Sequence, residues 1–347
     1  MKQNKLRVGI AGYGVVGKRR RQFIDLHPEL QTVAVCDQYF NEPDKIEDGL
    51  IVFPDYKQLL EVPLDILFVC LPNYLAAEVT IAGLRRGLHI FCEKPPGRDI
   101  CDVKRVIDVE NKHPKQLLKY GFNHRYHDSV CEALRIIKSG ELGEIVNLRG
   151  IYGKSKIHSV TSGWRAERRY SGGGILLDQG IHMIDLMQLF CGDFVEVKSF
   201  VSNSHWNLDV EDNAYALMCD KQGRVAMLHS SATQWEHRFL LDIALTDGSL
   251  ELRGILTSSK SYGQEKLVIF RRDESDRGAQ REETMTYLLD NSWKNEIFEF
   301  ADSVLNGSII KNGSSAEALA TMKMVYRIYW SDPEWRKKYN IEDPDSF

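Results

Sequence analysis

Between Leu6 and Leu26 the chain passes from an apolar strand pattern (LRVGIA) through the turn Gly12-Tyr-Gly14-Val-Val-Gly17 into a helical pattern. In such a turn the first glycine permits a tight bend and the second lets backbone approach a pyrophosphate. The third allows close helix–strand packing, while the N–H groups of the first helical turn face the anion. A lone G-x-G-x-x-G is a weak signal, so its surroundings decide. Asp37 ends the next apolar strand, Thr32–Cys36, 20 residues beyond Gly17. A carboxylate there hydrogen-bonds the adenosine ribose hydroxyls and repels a 2′-phosphate. Gly12, Tyr13, Gly14, Val15, Val16 and Gly17, with Asp37, are therefore expected to hold NAD(H) in preference to NADP(H). The basic run Lys18-Arg-Arg-Arg21 reads as a solvated face of the first helix, with phosphate binding as its alternative.

Further short apolar runs follow at Ile66–Leu71, Leu88–Cys92 and Leu117–Phe122, with helical patterns at Val79–Arg86 and Asp102–Val109 between them. Runs apolar on both faces and separated by helices are what parallel strands beneath two helical layers require. The first part is thus expected to be a Rossmann-type doubly wound α/β domain over residues 1–122. Beyond it, strand patterns at Glu144–Tyr152, Val195–Ser202, Ala214–Cys219, Val225–Ala232, Phe239–Leu245, Ser249–Arg253 and Lys266–Phe270 are joined mostly by short turns. Helical patterns at Asp128–Lys138, Gly180–Phe190, Trp293–Leu305 and Ser315–Tyr329 flank or interrupt them. Residues 123–347 read as an α+β domain, and Arg271–Glu283 as a charged, solvated loop.

Composition narrows the class. With 45 Lys plus Arg against 49 Asp plus Glu the net charge is -4, which argues against a nucleic-acid or membrane-surface binder. The seven cysteines show no C-x-x-C spacing, and most lie in apolar runs, so reduced thiols in a cytoplasmic protein are expected. The N-terminal segment lacks the apolar stretch of a signal peptide, and Ile66–Leu71 is far too short to span a bilayer.

Four motifs in order, Gly12–Gly17, Leu71-Pro-Asn73, Glu93-Lys94-Pro95 and Gly172-Gly-Gly174 with Asp178 and His182, resemble the Gfo/Idh/MocA oxidoreductases over essentially the whole chain. The resemblance implies a C-terminal domain with a large, open, mostly antiparallel sheet that serves as an interface between copies, giving a homodimer or homotetramer. It also implies that Leu71, Pro72, Asn73, Glu93 and Lys94 contact the cofactor. His182 is implied as the catalytic acid/base, with Lys94 and Asp178 as partners. Relatives often carry a His three residues after the Asn of the second motif, where this chain has Ala76.

The same residues make physical sense. Lys94 follows a parallel strand, where ligands of open α/β sheets bind, and an ammonium there stabilises a developing alkoxide. Asp178 and His182 are four apart, on one face of a helix. Spacing alone equally suits a buried imidazole satisfied by Asp178 or Asp185. Asn123, Arg125, Tyr152, Trp164 and Arg165 are expected to contact substrate together with Lys94, Asp178 and His182. Arg165, backed by Arg168 and Arg169, suggests an acidic or nucleotide-linked sugar, or else an exposed basic loop. His124 and His127 lack a third ligand, so no metal is expected. The expected activity is NAD(P)-dependent oxidation of a CH–OH group, a secondary hydroxyl of a sugar or cyclitol, or the reverse reduction. The alternatives are a redox-neutral epimerase or glycosidase that retains NAD, and a non-catalytic nucleotide-binding regulator.

Overall fold

A computed structural model describes residues 5–45, 49–158, 162–257, 259–272 and 280–346. In chain order it gives β1 (Leu6–Ala11), α1 (Val15–Ile24), β2 (Leu30–Cys36), β3 (Asp44–Lys45), β4 (Ile51–Phe53), α2 (Tyr56–Leu59), β5 (Ile66–Val69), α3 (Asn73–Arg85), β6 (His89–Glu93), α4 (Ile100–Glu110) and β7 (Leu118–Gly121). Then come α5 (Asp128–Ser139), β8 (Ile145–Ser155), α6 (Arg168–Ser171), α7 (Ile181–Cys191), β9 (Phe194–Ser202), β10 (Asn213–Asp220), β11 (Val225–Gln234), β12 (Arg238–Leu245) and β13 (Gly248–Arg253). The chain continues with β14 (Glu265–Arg272), β15 (Gln280–Tyr287), α8 (Ser292–Asn306), α9 (Ser315–Ser331) and α10 (Pro333–Tyr339).

The chain forms two compact units. The first joins the residues up to Phe122 with Arg169–Gly172 and Trp293–Leu319; the second holds the remainder. In the first unit the strand order is β3-β4-β2-β1-β5-β6-β7, with every neighbouring pair parallel except β3 with β4. All four residues of β5 are buried, as a sheet covered on both faces demands. Phe68 of β5 stacks on Phe91 of β6 at 4.7 Å, and Phe300 of α8 meets both rings edge-on. Each such ring contributes about 1.5–3 kcal/mol by leaving water. Strand order reverses around β1, so the crevice beyond the ends of β1 and β5 is the switch point where a doubly wound sheet takes its ligand.

The second unit is built on an eight-stranded sheet of order β15-β14-β13-β12-β8-β11-β10-β9, in which only β8 and β11 run parallel. The expected large, mostly antiparallel sheet is therefore present. Helix α7 is apolar almost all round and buries nine of its residues. It lies so close to β8 that a Cβ on Gly150 would come within 2.5 Å of Met187 Cε.

Two expectations change. β3, β4 and β15 were not among the expected strands, and Arg271–Glu283 is not wholly a loop. Arg271 and Arg272 end β14, Gln280–Glu283 begin β15, and 273–279 lie outside the described residues. β15 pairs with β14 at a sheet edge, where charged side chains are an advantage, so apolar alternation is missing. The second change is at the head of α7, where Leu176–Gly180 form a π-helical turn before the α-helix begins at Ile181.

Candidate active site

In the first unit the glycine turn has the stereochemistry its motif requires. Gly12 has φ +90°, and a Cβ on it would lie 2.3 Å from the Cys70 carbonyl oxygen. A Cβ on Gly17 would lie 2.0 Å from the Gly12 carbonyl oxygen, so α1 can start against the turn only without a side chain there. Above Gly14, in contrast, nothing lies within 4 Å, and no side chain caps the N-terminus of α1. Asp37 accepts from Tyr13 N at 2.8 Å and from Tyr39 N at 3.2 Å, which fixes its carboxylate beside the turn. A glycine cradle with open space at its centre and a carboxylate at its flank fits a dinucleotide pyrophosphate and its adenosine ribose.

The basic run departs from its expected solvated face. Arg20 is fully buried, donating to Glu93 at 2.5 Å and to Glu296 at 2.7 Å while lying over the Phe91 and Trp293 rings. Burial opposes its charge, but the two carboxylates outweigh burial and its pKa rises. Glu296 is pushed up to about 7, chiefly by desolvation, against the pull of Arg20 and Lys119. Arg21 donates to the Tyr13 hydroxyl and to Asp25, and Lys18 lies over the Tyr13 ring.

Lys94 follows β6, half-buried and joined to Pro95 by a cis peptide bond. Leu71 and Pro72 lead into α3, and the Asn73 amide donates to the Ser171 carbonyl at 2.7 Å. Ala76 is buried on α3.

In the second unit Gly173 and Gly174 are close-packing devices. Gly174 N and Leu176 N donate to the buried Glu211 carboxylate at 2.8 and 2.9 Å, and the Tyr329 hydroxyl donates at 2.7 Å. Desolvation raises the Glu211 pKa against these bonds. A Cβ on Gly174 would sit 2.1 Å from the Glu211 carbonyl oxygen. The turn thus anchored carries Asp178, which pairs with Lys154 Nζ at 3.0 Å and lies 3.8 Å from Arg165 Nε. His182, one turn later, is 4 % exposed and stacks face to face on His124, with ring centroids 3.7 Å apart and planes 14° apart. The Tyr152 hydroxyl lies 3.1 Å from His124 Nε2, and Asn123 Oδ1 lies 3.2 Å from His124 Nδ1. Phe239 and Tyr262 close around Tyr152, whose own pKa is raised by burial.

Asn123, Tyr152, Asp178 and His182 thus share one region, while Arg125 is committed elsewhere. Its guanidinium forms a two-pronged buried pair with Asp185 at 2.6 and 2.8 Å. Arg165 lies over the half-buried Trp164 ring, Arg168 over Tyr329 and Tyr339, and Arg169 over Tyr170. His127 pairs with Glu265 at 2.7 Å. Among the described residues no cluster of His, Cys, Asp and Glu could hold a metal ion. Lys154 and Glu211 were invisible in the sequence as site residues. Lys154 sits two residues after Tyr152 on β8, and strand periodicity was the one available signal.

A Rossmann cradle followed by a sheet-based unit with an imidazole–carboxylate cluster defines a nucleotide-dependent oxidoreductase architecture. The chain belongs to the Gfo/Idh/MocA family: residues 6–122 match its oxidoreductase domain with an NAD-binding Rossmann fold, and residues 130–251 its C-terminal domain. D-glucoside 3-dehydrogenase of Escherichia coli is 31% identical over 211 residues, covering 59% of each chain. Inositol 2-dehydrogenase of Salmonella typhimurium is 29% identical over 151 residues, 42% of this chain and 45% of that one. The matched stretches thus span about half the length of these relatives. Among solved structures, levoglucosan dehydrogenase in complex with NADH and levoglucosan shares the fold with a TM-score of 0.81 at 21% identity, covering 96% of this chain and 98% of that one. Myo-inositol 2-dehydrogenase from Lactobacillus plantarum does so at 0.78 and 22% identity, covering 94% and 97%.

Proposed function

We propose that this chain transfers hydride between a nicotinamide dinucleotide and a secondary hydroxyl or keto carbon of a sugar, cyclitol or sugar derivative. The observation that carries this reading is His182, buried at the head of α7 against aromatic rings, with Asp178 one turn before it held by Lys154. Gly12–Gly17 and Asp37 hold the pyrophosphate and adenosine ribose, and Leu71, Pro72, Asn73 and Glu93 the nicotinamide end. The bound nicotinamide supplies the hydride acceptor or donor. His182 takes the hydroxyl proton, a task suited to an imidazole near neutral pH. Lys94 hydrogen-bonds the reacting oxygen and stabilises its growing negative charge. Asp178 fixes a neighbouring hydroxyl, and Tyr152 and Trp164 wall the ring. Because Arg125 is spent on Asp185 and the arginines from 165 to 169 lie on aromatic rings, a neutral polyol suits the site better than an acidic sugar.

The outer face of the second unit's sheet exposes Phe200 (79%), Leu217 (51%) and Tyr215 (48%), with Phe200 and Tyr215 paired across β9 and β10. An apolar strip of this kind is suited to a second copy of the chain, so a homodimer or homotetramer is part of the proposal. None of the seven cysteines is in a disulfide, and no helix among the described residues is long and apolar enough to cross a membrane. Reduced thiols favour the cytoplasm.

The test is reduction of NAD+ by the purified protein with myo-inositol, levoglucosan and methyl β-D-glucoside. Turnover with a polyol supports the reading. Tight NADH binding with no oxidation of any polyol, and no reduction of the matching ketoses, would sink it.

A further inference from the structure

The face-to-face contact between His124 and His182 is unlike the other aromatic contacts of the cluster, which are edge-on or tilted. The hydrogen bonds around His124 assign the tautomer of its neutral ring. Ser292 Oγ donates to Asp290 at 2.6 Å and so accepts from the Asn123 NH2 at 3.1 Å. That turns Asn123 Oδ1 toward His124, whose Nδ1 must carry the proton that donates to it. Nε2 is then the acceptor for the Tyr152 hydroxyl. Every bond in this chain is made with His124 neutral. Protonation at Nε2 would turn away the Tyr152 hydroxyl proton and put a second positive ring 3.7 Å from His182 whenever that residue is charged.

The other charged groups nearby are paired. His127, edge-on to His124, is tied to Glu265; Arg125 is tied to Asp185; Asp178 is tied to Lys154 and approached by Arg165. The phenols of Tyr152 and Tyr262 are both held neutral by burial. At 3.7 Å the two stacked imidazoles are close enough for a charge on one to disfavour a charge on the other.

We propose that His124 is a positioning residue for His182: a neutral imidazole of fixed tautomer whose face sets the plane of the acid/base ring and leaves the stacked pair room for one proton. This rests on the acid/base role given to His182 above. When His182 accepts the substrate proton, that proton enters a pair whose other member is already satisfied as a neutral ring. The ring plane of His182 is then fixed by a stack rather than by rotation about its own side-chain bonds, which keeps the accepting nitrogen on one line.

Hydrogen–deuterium exchange at the imidazole Cε1–H, read by mass spectrometry on the full chain, gives each histidine's protonation midpoint without any substrate. The expected result is a His124 midpoint at least about one pH unit below that of His182, rising by about one unit in His182→Phe. Midpoints that coincide and stay put when the other ring is removed would overturn the shared proton. Turnover of the best of the three polyols tests positioning. His124→Ala is expected to lose about a hundredfold in kcat with the Kd for NADH unchanged, and His124→Phe, which keeps a flat ring, to recover most of that loss. Equal losses in both variants would overturn positioning by the stack. Full turnover in His182→Ala would sink the acid/base reading itself, whereas loss there beside wild-type turnover in His124→Ala sinks the pairing alone.

Discussion

The cradle in the first unit is made of backbone. Gly12 and Gly17 leave out side chains that would collide with carbonyl oxygens 2.3 and 2.0 Å away, and the one side chain it relies on, Asp37, is itself held by Tyr13 N and Tyr39 N. The cluster in the second unit is made of side chains from separate elements: Asn123 and His124 from the segment after β7, Tyr152 and Lys154 from β8, Asp178 and His182 around the head of α7. A backbone site binds what every nicotinamide dinucleotide shares. A side-chain site can be changed residue by residue, which is how one architecture serves many substrates.

That contrast can be broken most forcefully at His182. His182→Ala is expected to lower kcat by about a hundred- to ten-thousandfold while the Kd for NADH stays put, measured by steady-state kinetics beside calorimetric titration. Next comes the cradle: Gly17→Val forces a side chain against the Gly12 carbonyl and should weaken NADH by on the order of a hundredfold, with a lowered Tm. Asp37→Ala removes a carboxylate from the ribose side. A loss of about tenfold for NADH, about 1.4 kcal/mol, and a narrower preference over NADPH are expected from parallel titrations.

The smallest effect sharpens the first unit's core. Glu296 keeps its proton up to about 7, whereas an ordinary glutamate releases it near 4.5. Between those values the folded chain holds a proton the unfolded chain has lost, so this group's contribution to stability falls as pH rises through that window. The stability of wild type relative to Glu296→Gln is therefore expected to decline from pH 4.5 to about 7 in thermal melts and then level off. A difference that is flat or rises would contradict the protonated Glu296.

What was legible in the sequence follows the same line. The glycine turn and Asp37 depend on local stereochemistry at fixed spacing, and spacing is visible in a string of letters. Asp178 and His182 were visible as a motif, but their neighbours were not. Lys154 reaches Asp178 and His124 reaches His182 only because strands and helices far apart in sequence converge. Arg20 was misread for a related reason: in sequence it is one of four basic residues in a row, and only its partners, the half-buried Glu93 and the buried Glu296, reveal which one points inward. Arg125 was expected to contact substrate because Asp185, its partner in the fold, lies 60 residues away. β15 escaped notice because QREETMTY owes its strand to pairing with β14 and not to apolar alternation.

We propose that the first unit holds the dinucleotide and the second carries the proton chemistry. NADH affinity and polyol oxidation, measured side by side on Gly17→Val and His182→Ala, separate the two roles. Gly17→Val is expected to lose both and His182→Ala to lose only turnover. His182→Ala that binds NADH as poorly as Gly17→Val, or that oxidises polyol at the wild-type rate, would contradict it.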